Sequence, residues 1–348
     1  MSADAAPLLS VRDLTAHFPL DEGTVIAVEG VSFDVSAGRT VGIVGESGCG
    51  KSVTARSILQ ILDRPGRIVG GEILFRPRGP DGTPGGGAVL DLARLGPNSK
   101  ELRSIRGGEI GYVFQEPMTA FSPVHTIGNQ LVEVIRLHRR VSKREARARA
   151  GEMLRRVGIA SPEERMDAYA YQLSGGLRQR ALIAMALACG AGLLIADEPT
   201  TALDVTTQAQ ILRLMRDLQE RDGMAVIFIT HNLGVIAQTC EDVVVMYLGQ
   251  VVERAPVGDV FHAPRHPYTR ALLRSIPRLR SRPKEKLASI VGSVPHPYDR
   301  PRGCLFHPRC SAFIPGTCDE QVPVLRSVAP RQAVRCWLDE PAHARESG

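Results

Sequence analysis

Short, uniformly apolar runs recur along the first two-thirds of the chain, each ending at once in glycine or in charged residues. Val41–Val44 (VGIV) enters a glycine-rich loop, after which Val53–Leu62 (VTARSILQIL) carries apolar residues at helical spacing. Leu193–Ala196 (LLIA) runs into Asp197 and Glu198, and Ala225–Thr230 (AVIFIT) runs into His231. Runs this short and this apolar suit strands buried on both faces. Leu177–Cys189 (LRQRALIAMALAC) has a helical period, and Val243–Ala255 (VVVMYLGQVVERA) reads as a hairpin. Buried strands alternating with helices predict an α/β fold. Arg76–Gly87 (RPRGPDGTPGGG) reads as a flexible surface insertion, after which Glu101–Gln115 (ELRSIRGGEIGYVFQ) returns to the core. Arg136–Gly158 is amphipathic and basic, and a solvated helix face is its default reading.

The chain has 348 residues, of which 43% are hydrophobic, so a sizeable core is expected. Its longest uncharged stretch, Ala181–Ala196, is interrupted by two glycines and is shorter than the ~20 residues of a spanning helix. It is expected to form a helix, a turn and a buried strand. The start of the chain lacks the basic and apolar blocks of a secretory signal, which predicts a soluble protein in a reducing compartment. The net charge is +6, but Arg265–Arg309 alone holds eleven Lys or Arg against two acids, so the remainder is net acidic. Only Tyr268, Tyr298 and Phe306 interleave those charges, too sparsely for the stacking platform of a single-strand nucleic-acid binder. A solvated surface or a protein contact is the expected role of this basic segment, and no nucleic-acid partner is expected.

The loop after the first buried strand is GESGCGKS, Gly45–Ser52, which fits the phosphate-cradling pattern G-x-x-x-x-G-K-S between a strand and a helix. Gly45, Gly48 and Gly50 let backbone amides close on phosphate oxygens, Lys51 adds charge, and Ser52 offers a hydroxyl to Mg²⁺. Asp197 and Glu198, at the carboxyl end of an apolar strand, suit a Mg²⁺ shell and the polarisation of an attacking water. His231 ends a further strand and is expected to contact the γ-phosphate.

Between these motifs stands Tyr171–Arg180 (YQLSGGLRQR), whose LSGG resembles the signature of ABC transporter ATPases. Gln115 in YVFQEP resembles that family's Q-loop, Thr201–Asp204 (TALD) its D-loop, His231 its switch histidine, and Phe18 the aromatic that stacks on adenine. The resemblance spans about residues 8–255. It implies an ABC-type nucleotide-binding domain: a RecA-like P-loop core with an antiparallel β lobe and a helical lobe at about 118–190, together filling residues 1–257. ATP would be held by Phe18 and by Gly45, Glu46, Ser47, Gly48, Cys49, Gly50, Lys51, Ser52 and Val53, and Mg²⁺ by Ser52, Gln115 and Asp197. Glu198, His231, Gln115 and Lys51 would be catalytic, with Asp204 in the D-loop. Ser174, Gly175 and Gly176, at a helix N-terminus, would complete the site of a second subunit. One set of motifs therefore implies a dimer, with a related partner favoured over a second copy.

Three stretches resemble the oligopeptide and dipeptide importer branch more narrowly: Gln115–Leu131, Val260–Pro277 and Gly303–Cys318. They imply an ATPase powering peptide uptake from the cytoplasmic face of the inner membrane, with two transmembrane permease subunits and an extracytoplasmic peptide-binding protein. An importer ATPase for another small solute, such as a metal chelate, and a non-transport ABC ATPase are the alternatives. Leu177, Cys49 and Phe121–Pro123 (FSP) depart from the branch's usual residues, the last at a position implied to dock the membrane partner.

The rest of the chain, 258–348, reads as a small loop-rich extension holding Cys304, Cys310, Cys318 and Cys336. Their spacing lacks the tight pairs of structural zinc sites, whereas iron–sulfur clusters draw thiolates from irregular loops. Spacing alone leaves both open, along with unligated thiols and a mixed zinc site that includes His307. The resemblance implies a 4Fe–4S cluster, with Zn²⁺ as the alternative.

Overall fold

The computed structural model describes residues 6–79, 82–201, 203–276 and 290–339. It resolves into two compact units: one takes in residues up to 9, 34–40 and 74–229, the other 10–33, 41–73 and those from 230 onward.

In the first unit three strands, Ile110–Val113, Leu193–Asp197 and Ala225–Ile229, run parallel, with Ile110 opposite Leu193 and Leu193 opposite Ala225. Every residue of the three is buried, which explains their apolar runs. The stretch Ala181–Ala196 behaves as expected: the helix Gly175–Leu187 ends, Gly190 turns at φ +68°, and the strand at Leu193 begins. Helices Ile127–His138, Lys143–Arg156, Pro162–Met166 and Gly175–Leu187 make up the helical part. Ser142 breaks the basic run, its side chain accepting from the Glu145 amide to start a new helix. That helix buries Ala146, Ala150, Met153 and Leu154, while Arg147, Arg149 and Arg155 form ion pairs on its solvated side.

The insertion Arg76–Gly87, expected as a surface insertion, contains hydrogen-bonded turns and no buried residue among its described residues. Residues 80–81 lie outside the described residues, but Gly79 donates to Thr83, Gly86 to Thr83 and Gly87 to Pro77, and the Arg78 guanidinium donates to the Gly190 carbonyl. Its glycines and prolines therefore build hydrogen-bonded turns.

In the second unit Thr40–Val44 pairs in parallel with Asp242–Tyr247, Val41 opposite Asp242. The expected hairpin is present: Gln250 lies opposite Tyr247, and the two residues between them, Leu248 and Gly249, have φ +43° and +83°. Such a turn matches the twist of the flanking strands. The sheet then continues outward through Gln332–Val334 and Arg326–Ala329, which belong to the C-terminal extension. The same unit holds most of a second sheet, with neighbouring strands in the order Gly23–Val35, Leu9–Leu20, Arg67–Phe75. The helix after the glycine loop stops at Ile58, four residues short of the sequence pattern, because Gln60 turns at φ +49° and the Ile61 amide returns to the Arg56 carbonyl. An aromatic knot of Tyr247, Tyr268 and Phe306 ties the extension to the sheet, with ring centroids 4.8–5.3 Å apart and each side chain buried. The basic residues from Arg278 to Lys286 lie outside the described residues.

Gly111 packs its strand against the helix Gly175–Leu187: a methyl group there would sit 2.4 Å from the Ala186 carbonyl oxygen. Gly111→Ala is expected to force the strand and helix apart and to lower stability by about 1–3 kcal/mol, read from thermal unfolding.

Candidate nucleotide site and thiol group

Gly45 follows the strand Thr40–Val44 directly and has φ +153°; a Cβ there would meet the Met246 carbonyl oxygen at 2.2 Å, so only glycine fits. The loop then folds back on Lys51, which is 5% exposed. Its Nζ donates to the carbonyls of Gly45 and Glu46 at 2.9 and 3.0 Å, with the Cys49 sulfur 3.8 Å away. Cys49 points inward and is buried, and burial pushes its thiol pKa up. Ser47 and Gly48 form the exposed crest of the loop, and Ser52 and Val53 begin the helix. Near the far end of the same unit, the Thr230 amide donates to the Ile43 carbonyl, which brings exposed His231 one residue beyond the loop's own strand. Phe18 is half-buried and packs against Gly66, where a Cβ would stand 2.5 Å from its ring.

The acids of the first unit sit where the strand Leu193–Asp197 ends. Asp197 is 1% exposed and accepts from the Tyr112 hydroxyl at 2.9 Å. Tyr112 lies on the neighbouring parallel strand opposite Ile195, so register alone delivers this donor. Glu198 adopts φ +47°, a left-handed conformation that costs a non-glycine residue on the order of 1 kcal/mol and is commonest at functional positions. Its amide donates to the Ile229 carbonyl, and its carboxylate accepts from Gln115 Nε2 at 3.2 Å and from Thr201 Oγ1 at 2.8 Å. Gln115 and Glu198 are thus brought together, 83 residues apart in sequence. Tyr112 was not singled out by sequence reasoning, and Thr201 was named only as the first residue of TALD; the signal for Tyr112 was its place beside expected site residues.

Ser174 is exposed at the start of the helix Gly175–Leu187, and its hydroxyl accepts from the Leu177 amide at 3.4 Å. It caps the helix that presents Gly175 and Gly176. Asp204 caps the next helix, Val205–Asp222, accepting from the Thr207 amide at 2.9 Å, and that bond lowers its pKa. Ala202 of the TALD stretch lies outside the described residues.

A family described as "ABC transporter" matches residues 28–201, half of the chain, over both glycine loop and signature. The chain belongs to the ABC transporter family. Residues 252–318 of this ABC chain match a second family, described as "Oligopeptide/dipeptide transporter, C-terminal region". It is 51% identical to the "Probable peptide ABC transporter ATP-binding protein" of Sinorhizobium fredii, over 95% of this chain and 94% of that one. It is 45% identical to the dipeptide transport ATP-binding protein DppD of Escherichia coli, over 94% and 96%. Among solved structures, a dimeric bacterial ABC transporter cassette is similar at a TM-score of 0.60 and 28% identity, covering 72% of this chain and 98% of the cassette. The α/β fold expected from sequence is therefore that of an ABC ATPase. No helix among the described residues is long and apolar enough to cross a membrane.

The four clustered cysteines of the ABC chain line one recess, together with His266, His307, Phe306 and Trp337. Cys304 and Cys318 are tied by a 2.7 Å bond from the Cys304 amide to the Cys318 carbonyl. Burial pushes the thiols of Cys304 and Cys336 up to about 11 and about 12, and the neighbouring cysteines add to both shifts. His307 Nδ1 lies 3.0 Å from the Cys304 carbonyl and donates to it, which leaves Nε2 as its possible ligand atom. The donor chemistry suits a thiophilic metal group. Among the described residues, however, no set of three or more His, Cys, Asp or Glu side chains is gathered as a metal ion requires.

Tyr112→Phe is expected to remove one donor from the buried Asp197 carboxylate and to lower stability by about 1 kcal/mol, measured by urea unfolding. An unchanged midpoint would mean that Asp197 does not depend on this hydroxyl.

Proposed function

We propose that this chain is the ATP-hydrolysing subunit of a peptide importer. The observation that carries this reading is the match of residues 252–318 to the oligopeptide/dipeptide transporter C-terminal region, on a chain that also matches the ABC transporter family at 28–201. Relatives 51% and 45% identical, whose names specify peptide and dipeptide transport, support it across nearly the whole chain.

In this reading residues 1–257 form the ATPase, with its helical lobe at about 118–190, and 258–348 form the extension. The amides of the loop crest hold the phosphates, Lys51 offsets their charge, and Phe18 takes the adenine. Ser52, Asp197 and Gln115 hold Mg²⁺, which when bound offsets charge on the phosphate oxygens. Glu198, fixed by Gln115 and Thr201, orients the attacking water, and His231 stabilises charge on the departing γ-phosphate. Ser174, Gly175 and Gly176 present a capped helix N-terminus to the nucleotide of a second subunit, a related chain rather than a copy. ATP thereby bridges two subunits, and its hydrolysis releases them. The assembly includes two transmembrane permease subunits and an extracytoplasmic peptide-binding protein, with this chain peripheral on the cytoplasmic face of the inner membrane.

Glu198→Gln is expected to lower ATP turnover by at least roughly a hundredfold. It is also expected to trap an ATP-bound dimer, visible by size-exclusion chromatography of the chain with its partner subunit. Turnover at the wild-type rate would overturn the assignment of Glu198.

The four cysteines are assigned to a 4Fe–4S cluster that staples a loop-rich extension; what supports this is that all four line one recess and that Gly303–Cys318 resembles the importer branch. Protein purified without oxygen is expected to be brown and to contain about four irons and four sulfides per chain. Zinc in their place would make the extension a zinc-stapled one, and absence of both would overturn a metal role.

A further inference from the structure

Glu46, the second residue of the glycine loop, is held at three points by four residues, two of which belong to the C-terminal extension. Its carbonyl accepts from Lys51 Nζ at 3.0 Å and from the Cys49 amide at 3.3 Å. Its amide donates to the Tyr268 hydroxyl at 2.9 Å, across 222 residues of sequence. Its carboxylate is gripped by both ends of the Arg309 guanidinium, Nη1 to Oε2 at 2.7 Å and Nη2 to Oε1 at 3.0 Å. The Arg309 side chain is 4% exposed and that of Glu46 is 26% exposed, so this pair is shielded from solvent. Arg309 is itself braced: Nε donates to the Val291 carbonyl at 3.1 Å, Nη1 reaches the Tyr247 hydroxyl at 3.4 Å, and the guanidinium lies over the Tyr247 ring. Tyr268 is fully buried and locked in the aromatic knot with Tyr247 and Phe306.

A carboxylate on a phosphate-binding loop needs explaining, because its negative charge opposes the ligand the loop is built to hold. Arg309 answers this in two ways. It neutralises Glu46, and its bidentate fork fixes the side chain's direction as a lysine could not. Tyr268 meanwhile takes up the Glu46 amide, so the loop's first peptide is an anchor and the exposed crest at Ser47 and Gly48 is left to face the phosphates.

We propose that Arg309 and Tyr268 are positioning residues for nucleotide binding: the extension reaches back to the glycine loop, neutralises Glu46 and sets the conformation in which the loop receives ATP. This rests on the reading of Gly45–Val53 as the ATP cradle. It gives a task to both distinctive C-terminal stretches, since Tyr268 lies in one and Arg309 in the other, next to Cys310.

The test is a double-substitution cycle on the full-length chain, with Mg²⁺–ATP affinity measured by calorimetry. Arg309→Ala is expected to weaken ATP binding roughly tenfold by leaving Glu46 uncompensated. Adding Glu46→Gln to it is expected to restore affinity to within about twofold of wild type, because the opposing charge is gone. Arg309→Lys, which keeps the charge but loses the fork, is expected to fall between, with an affinity more sensitive to salt. Wild-type affinity in Arg309→Ala, or a loss that Glu46→Gln fails to restore, would overturn the proposal. If Arg309→Ala does not fold, Arg309→Lys decides the matter, and wild-type affinity with wild-type salt dependence in that variant would overturn the proposal. Lys51→Ala separates this from the underlying reading: ATP binding that survives Lys51→Ala refutes the cradle itself. Binding that is lost in Lys51→Ala but unchanged in Arg309→Ala refutes only the role of the extension.

Discussion

A phosphate-binding loop is a run of backbone donors and acceptors with no ladder of its own, and each buried group among them needs a partner. The requirement is met here by groups from several parts of one unit. Met246 closes on Gly45 so tightly that a side chain is excluded, Lys51 takes the carbonyls of Gly45 and Glu46, and Tyr268 takes the Glu46 amide. The Cys49 carbonyl accepts from Gly249 in the hairpin turn. The parallel pairing of Thr40–Val44 with Asp242–Tyr247 and the tight turn at Leu248–Gly249 are therefore conditions of the loop's shape.

The same constraint explains the C-terminal extension. It has little apolar sequence of its own, yet it adds two strands to the sheet edge and inserts Phe306 into the knot with Tyr247 and Tyr268. Each aromatic ring buries enough surface to contribute on the order of 2 kcal/mol, so a short segment can be held firmly by few residues. Two of the four cysteines flank the stretch that carries Phe306 and Arg309. Whatever holds the thiols together thus also holds the segment that grips Glu46.

The two acids at the end of the strand Leu193–Asp197 answer to a different rule. Asp197 is buried, and a buried carboxylate needs donors, which Tyr112 supplies from the adjacent strand. Glu198 leaves the strand in a left-handed conformation that turns its carboxylate towards Gln115 and Thr201. Strain at that one residue is tolerated because its amide remains bonded to Ile229.

Much of this was legible in the order of residues. Buried parallel strands announce themselves as unbroken apolar runs, and GESGCGKS and LSGG carry their chemistry in local spacing, because backbone turns and helix starts are local events. The helix start at Ser174–Gly176 was readable for the same reason, whereas the capping role of Asp204 was not foreseen. The helix end at Ile58 was misread and the turns within Arg76–Gly87 were not foreseen, since both depend on which non-adjacent carbonyl a chain group finds. Tyr112 beside Asp197, and Arg309 and Tyr268 on Glu46, were beyond any reading of spacing, whereas the four cysteines were expected to stand together and line one recess. Sequence determined which elements form and which residue types stand at their ends. Tertiary structure alone decided which of those ends meet, because strand register, aromatic packing and side-chain hydrogen bonds join residues that the chain keeps up to 274 positions apart.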